Sequence, residues 1–588
     1  MVNRQRPQHP RRVRRLLRGL LAGAALGGLP VLLALAFFAS RFAGLTEATV
    51  LEQAQLARQL ARGAGFSTNV FMPLDLAQAP RPPARAAGHD FRGAPLYPLL
   101  LSAIVGPHRT PDNLLGLLSL GFWLATVALT FAFAWRLFGR RTAGLATVLL
   151  VVNVPLLVEA IGGRETMAWT FLVGLWLYVT YETSRLPGAA TQRWWPVLSG
   201  ALFGLCCMVS YLSLSLLVPA LILLIMLAPE WPPDFARGRA SAPPQQPTGL
   251  PEARRWPPSR QAWRACLAFL AACLVVTAPW LIRNLVASGN PVFSLSWWAL
   301  ATNTPSHPGD TVLQWHAPTG PIAYAFGHAG EMARKFALGL SRLRDGLFST
   351  ADAYVVAIFL FGLLLGAGQE QAARLRTGLG LLLLAAVPTA LGSGSPRVFA
   401  ALVPLVTVFA AQFFLERLDR LYLRVRLSPG RYIRSTTMRS VVLYLGVGTA
   451  GYPLLVAFAI SPYQYYDPAR PTPLETLKAR IPQQATVLTN IPWQVAWYTD
   501  RRAALLPRRA AELDEIEQRL GRVDYLLLSP PLHPQLVAGD PTWMELATRT
   551  GEPLAGFGAG ERIIIAPGLG VVLRPRAGTA PTPGGGER

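Results

Sequence analysis

Long apolar runs alternate with short arginine-bearing segments from residue 19 to about residue 460. Runs this free of charge read as transmembrane helices, because a span must satisfy its backbone internally and keep ions out of the hydrocarbon. Eleven spans are expected, at 19–39, 113–135, 143–159, 165–182, 196–211, 213–228, 265–282, 353–368, 378–391, 398–415 and 440–459. Several are shorter than the roughly 20 residues of a straight span. The run 196–228 is too long for one helix and is broken at "SYLS". After the last span the pattern changes. "PLETLKARI" repeats like a helix, "ATVLT" like a strand, "WQVAWYT" like a short helix, "AALLP" like a strand, "AAELDEIEQRL" like a helix and "VDYLLLS" like a strand. The predicted fold is therefore a polytopic α-helical membrane protein of about eleven spans with a small C-terminal soluble α/β domain. Its parts are a basic arm (1–18), a transmembrane domain (19–460), the soluble domain (461–575) and a flexible glycine-rich tail (576–588).

Composition agrees. Of 588 residues 52% are hydrophobic and only 15% charged, where a soluble protein carries about 25% charged. The net charge of +24 does not point to nucleic acid, because the arginines cluster between the apolar runs. With the N-terminus cytoplasmic, each inside segment is arginine-bearing: Arg11, Arg12, Arg14, Arg15 and Arg18 in the arm, then Arg136, Arg140 and Arg141, then 229–264 and 416–439. The expected location is the inner (plasma) membrane. The loops 40–112 and 283–352 and the C-terminal domain then lie outside. The inside loop 229–264 is proline-rich and expected to be disordered. Cys206, Cys207, Cys266 and Cys273 all fall in apolar runs, as buried thiols do, rather than in a disulfide or metal pattern.

The span cores are almost free of ionisable residues, whereas a carrier usually needs them there. The acids stand at outer ends instead: Glu159, Glu165 and Asp352. This favours an enzyme whose site faces outward. Directly after the first span comes "LTEATVLEQAQLARQLARGAGFSTN", helical in pattern and ended by glycines. Thr49, Glu52, Gln55, Gln59 and Arg62 share one stripe, opposite Val50, Ala54, Ala57 and Ala61. The stripe reads either as the solvated face of an interfacial helix or as the place where Glu52 serves as a general base. Arg283 and Arg397 sit at outer span ends against the positive-inside pattern, and Arg164 stands beside Glu165. They either snorkel to headgroups or bind a phosphate through arginine's rigid fork. The segment 88–106, "GHDFRGAPLYPLLLSAIVG", is expected to lie at or dip into the interface, with His89 and Asp90 as candidate site residues or plain loop residues. His307, His316 and His328 lack zinc spacing, so no protein-bound metal is expected. A loosely held divalent ion stays open.

The order of an inside arm, one span, an acidic first loop with "AQLAR", then "PLYPLL", many spans and an outer domain resembles the GT-C superfamily of integral-membrane glycosyltransferases. The similar branch is the protein O-mannosyltransferase-like and aminoarabinose transferase-like one. "PWLIRN…GNPVFS", "SPRVFAALVP" and "IPQQATVLTNIPWQVAWYTDRRAALLP" carry the same likeness. The resemblance implies inverting transfer of a sugar from a polyprenyl-phosphate carrier to an acceptor hydroxyl (of a protein, lipid or glycan) on the outer face. It implies an acid in the first loop as base (Glu52, or Glu47), Glu165 as a second acid near the cavity, and Arg283 and Arg397 toward the phosphate. Arg58 of "AQLAR", Asn284 of "PWLIRN", His89, Asp90 and Arg164 are its further substrate-binding candidates. One position departs: the family's usual acid aligns with Thr49, and Glu52 stands one helical turn further on. The alternatives are a transporter or flippase of lipid-linked saccharides, or a catalytically altered scaffold of the same fold.

Overall fold

A computed structural model describes residues 27–78, 88–107, 110–185, 189–227, 260–317, 320–366, 370–392, 395–425, 429–460, 473–566 and 569–577. The basic arm, nearly all of the proline-rich loop and most of the C-terminal tail lie outside the described residues. The chain is mostly helical. Asp112–Phe138 is the first long apolar helix after the first loop, and Gly139, at φ +88°, ends it in a conformation that suits glycine. Helices Glu165–Arg185, Ala189–Val209, Arg260–Ser288, Ala329–Thr350, Val403–Val425 and Pro429–Ile460 are the other long helices among the described residues. Ala189–Val209 lies tightly against Arg260–Ser288. A methyl group at Gly200 would collide with the Phe269 backbone, and one at Gly204 would meet Val276. Close approach through small residues is how helices associate where lipid supplies no hydrophobic drive.

Four described helices are long and apolar enough to cross a membrane, or up to six if two bent pairs each form one span. The eleven expected spans exceed that number, and two of the apolar stretches are divided. The run at 143–159 becomes Arg140–Val151 and Val154–Ile161, bent by 62°. Asn153 causes the break: its side chain accepts from the Leu156 amide at 2.9 Å and caps the second helix. The second bent pair, Ala329–Thr350 and Ala353–Leu365, turns 102° at Asp352, whose φ is +61°. The break at "SYLS" is present, with Val209 ending one helix and a 3₁₀ turn at Tyr211–Leu216 leading into the next.

The C-terminal region holds a six-stranded sheet in the order Val70–Phe71, Arg502–Leu505, Thr486–Thr489, Tyr525–Leu528, Leu569–Pro575 and Glu561–Ala566. The first four strands are parallel and the last two are antiparallel additions. The predicted strands at "ATVLT", "AALLP" and "VDYLLLS" are all there, and their side chains are buried. The edge strand Val70–Phe71 is the surprise. It comes from the first loop, 415 or more residues away in the chain, and pairs with Ala503 and Ala504. The first loop and the C-terminal region therefore share one sheet, and this join fixes where the loop's acids stand.

Candidate active site

The chain leaves the helix Gly27–Arg41, turns at Gly44 (φ +90°) and enters the helix Ala48–Ala61, with Glu47 as its extended N-cap residue. The helix is buried on both sides. Val50, Ala54 and Ala57 of the apolar stripe are buried, while Ala61 at its end is exposed; Leu51, Gln53, Gln55, Arg58 and Gln59 are buried as well. The reading of a solvated polar face is corrected. The polar side is covered by protein because the C-terminal segments Pro492–Gln494 and Val495–Thr499 pack on this helix. Thr49 is exposed. The amide of Gln55 is buried with no hydrogen-bond partner on either atom among the described residues.

Glu52 stands in the middle of a charge cluster, with 17% of its side chain exposed. Arg92 Nε lies 4.0 Å from its carboxylate and also holds Asp75, at 3.0 and 3.2 Å from Nε and 2.5 Å from Nη2. Asp90 is buried and accepts from the amides of Arg92 (3.3 Å) and Gly93 (3.4 Å). Burial pushes the Glu52 carboxyl up to about 8; Arg92 pulls it back, while Asp90, Asp75 and Glu165 add to the rise. Burial also raises Asp90, against the pull of the Arg92 amide and guanidinium. Burial alone would lower the Arg92 guanidinium, but Asp75, Glu52 and Asp90 hold it above its ordinary value. Arg92 and Asp75 were not among the sequence candidates. Arg92 lies inside the quoted "GHDFRGAP", yet only the fold brings Asp75 and Glu52 to it.

A second cluster joins the start of the same helix to two other loops. Glu47 bridges Arg164 and Arg397, the latter at 3.2 Å. Arg164 also binds Glu159 at 2.6 Å. The backbone here is set by Gly163, at φ +75°, whose carbonyl accepts from the buried Tyr97 hydroxyl of "PLYPLL" at 2.8 Å. A side chain at Gly163 would press on Leu45, so glycine brings Arg164 up against the loop helix. Burial, then Arg397, pull the Arg164 guanidinium down to about 10. Glu165 begins the next helix, and one of its oxygens is buried without a partner among the described residues. Its charge is felt by Glu52 and by Arg164, so it links the two clusters.

The remaining candidates hold the scaffold. Arg58 is 2% exposed, donates to the Trp497 carbonyl at 2.8 Å, meets Asp500 at 3.4 Å and lies 4.0 Å over the Trp497 ring. Arg62 binds the same Asp500 at 2.6 and 3.0 Å. Nearby, the Asp112 carboxylate receives Trp497 Nε1 at 2.9 Å and the Tyr498 hydroxyl at 2.7 Å. Arg58 thus fastens the C-terminal region to the loop helix rather than facing the acids. Arg283 donates to the carbonyls of Asp90 (2.7 Å) and Phe66 (3.0 Å), and to Asn284 Oδ1 at 3.0 Å. It is stacked between Phe91 and Trp280. Its fork is engaged with the first loop's backbone. Asn284 is buried and reaches the Phe293 carbonyl at 3.4 Å. His89 is exposed, on the two-residue strand that pairs Gly88–His89 with Ser67–Thr68. The expected interfacial helix in this segment is the short Leu96–Ser102. Among the described residues no group of three or more His, Cys, Asp and Glu is placed to hold a metal ion.

Comparison with known proteins adds fold and family information. The family model for dolichyl-phosphate-mannose-protein mannosyltransferase matches residues 108–235. Among solved structures the chain is similar to ArnT from Cupriavidus metallidurans bound to undecaprenyl phosphate, at 13% identity over 95% of this chain and 99% of that one, with a TM-score of 0.52. It is also similar to the archaeal oligosaccharyltransferase AglB from Archaeoglobus fulgidus, in complex with an inhibitory peptide and a dolichol-phosphate. There the identity is 12% over 86% of this chain and 69% of that one, with a TM-score of 0.53. A sequence search of the curated proteins finds no match.

Proposed function

We propose, from the premise that this chain has the GT-C fold of integral-membrane glycosyltransferases, that it moves a sugar from a polyprenyl-phosphate-linked donor to an acceptor hydroxyl on the outer face of the membrane. The observation that carries this reading is the Glu52 cluster: a mostly buried carboxyl, raised to about 8, on a helix the C-terminal region holds in place. A group titrating near the working pH is suited to general base catalysis. In the reaction Glu52 takes the proton of the acceptor hydroxyl. The freed oxygen bonds to the anomeric carbon from the face opposite the phosphate. The anomeric C–O bond breaks, its electron pair leaves with the polyprenyl phosphate, and the sugar is inverted. Arg92 steadies Glu52 while it is charged.

The phosphate leaves toward Arg164 and Arg397, the second of which is partly exposed. In this reading the membrane domain is 19–460, the outer loops are 40–112 and 283–352, and the C-terminal domain 461–575 is an accessory that braces the first loop. The test uses purified protein with polyprenyl-phosphate sugars and membrane-derived acceptors. Sugar transfer with release of polyprenyl phosphate supports the proposal. Movement of the lipid between leaflets of a proteoliposome with its sugar linkage intact would replace it with the flippase reading.

A further inference from the structure

The two arginines best placed for a phosphate already hold an anion. Glu47 meets both Arg164 and Arg397, and it is 43% exposed, whereas Arg164 is 10% exposed and Arg397 29%. The two cations repel each other: Arg397 helps pull the Arg164 guanidinium down. With Glu47 withdrawn, Arg164 and Arg397 would face only Glu159 and the field of Glu165. Such a pair needs a second anion close by. Glu47 is also the residue best able to come and go. It is the N-cap of its helix, it has extended backbone, and its side chain makes no capping hydrogen bond. Its movement breaks no helical turn.

Resting on the reading above, we infer that Glu47 is a tethered stand-in for phosphate, occupying the Arg164–Arg397 site in the free protein and exchanging with the phosphate of a polyprenyl-phosphate headgroup. Charge sets the order of exchange. The donor's phosphodiester carries one negative charge, the same as Glu47, so it enters at little electrostatic cost. The released phosphate monoester carries about −1.5 to −2 at pH 7, with a second pKa of about 6. It binds the arginines more strongly than the donor does, and the return of Glu47 helps it leave. A residue that fills its own ligand's site lowers the apparent affinity by the fraction of time the site is open. It also keeps the buried Arg164 and the half-buried Arg397 paired between turnovers.

The experiment measures binding by the full-length purified protein, with undecaprenyl phosphate in one arm and inorganic phosphate in the other. Glu47→Gln is expected to bind undecaprenyl phosphate about tenfold tighter than wild type, the change produced by a site open about one-tenth of the time. Glu47→Asp, shorter by one methylene, should tighten binding less but in the same direction. Arg397→Gln should weaken it. Both proteins should bind undecaprenyl phosphate more tightly at pH 7.5 than at pH 5.5, because the monoester gains its second charge between them, while the ratio between the two proteins stays the same. Tightening for undecaprenyl phosphate alone assigns the site to the lipid headgroup; equal tightening for inorganic phosphate assigns it to free phosphate. If wild type binds undecaprenyl phosphate and Glu47→Gln binds it no tighter, Glu47 is not a stand-in, and the glycosyltransferase reading survives. If neither protein binds either phosphate, both ideas fall.

Discussion

The helix Ala48–Ala61 has two unlike ends. At its C-terminal end Arg58 is sealed beneath Trp497 and bound to Asp500, with Arg62 on the same carboxylate. At its N-terminal end Glu47 shares Arg164 and Arg397 across a partly open site, and Glu52 stands 4.0 Å from Arg92. Both ends are arginine–carboxylate clusters. They differ in burial and in how many partners each arginine has. A buried guanidinium with a carbonyl, a carboxylate and an aromatic face cannot exchange any of them cheaply. A half-open pair can. The locked end fixes the position of the open end, and so holds the proposed base, Glu52, in register.

Arg58→Ala should break the locked end and give the largest effect. Removing one partner of a buried pair typically costs about 3–5 kcal/mol, so the melting temperature and yield of the full chain should fall sharply. Arg397→Ala should move the melting temperature by no more than a partly exposed pair does, about 0–1 kcal/mol. Equal losses from the two variants would erase the contrast between the ends.

Glu52→Gln should leave the fold intact and lower sugar transfer by about 10²-fold or more, as loss of a general base does. Wild-type turnover should rise as pH increases toward and through about 8, because the base acts in its charged form. Stability should run the other way. The folded-state pKa lies above the ordinary 4.5, so the folded protein binds the extra proton between those values. The stability Glu52 contributes is present in full below pH 4.5 and is lost as pH rises through about 8. Thermal melts should therefore show Glu52→Gln gaining on wild type from pH 5 to pH 9.

The smallest effect should come from His89→Ala. His89 is exposed and touches neither cluster, and surface changes of this kind stay within about ±0.5 kcal/mol. A loss of activity as deep as that of Glu52→Gln would show that the site extends past Asp90.

What the sequence could reveal follows from the range of each signal. The helix bearing Glu52 was legible because its period is local, and so were the strands at 486–489, 502–505 and 525–528, whose apolar runs are bounded by turn residues. Arg397 and Arg164 were legible as cations at outer span ends, Glu52 by its place on the polar stripe, and Glu47 through the family resemblance. The strand Val70–Phe71 was not, since two residues carry no period. Arg92 with Asp75, and Arg58 with Trp497, were hidden for another reason: their partners are 17 and 439 residues away. Arg283 shows the limit most clearly. A cation at an outer span end suggested phosphate, and only the fold shows its fork held by the Asp90 and Phe66 carbonyls.

The most direct test of the central claim is single-turnover sugar transfer from a polyprenyl-phosphate donor, with wild type, Glu52→Gln and Glu47→Gln run in parallel. The account predicts that Glu52→Gln loses about 10²-fold or more in the chemical step, while Glu47→Gln keeps that step and releases polyprenyl phosphate more slowly. Full transfer by Glu52→Gln, with the chemical step lost in Glu47→Gln instead, would contradict it.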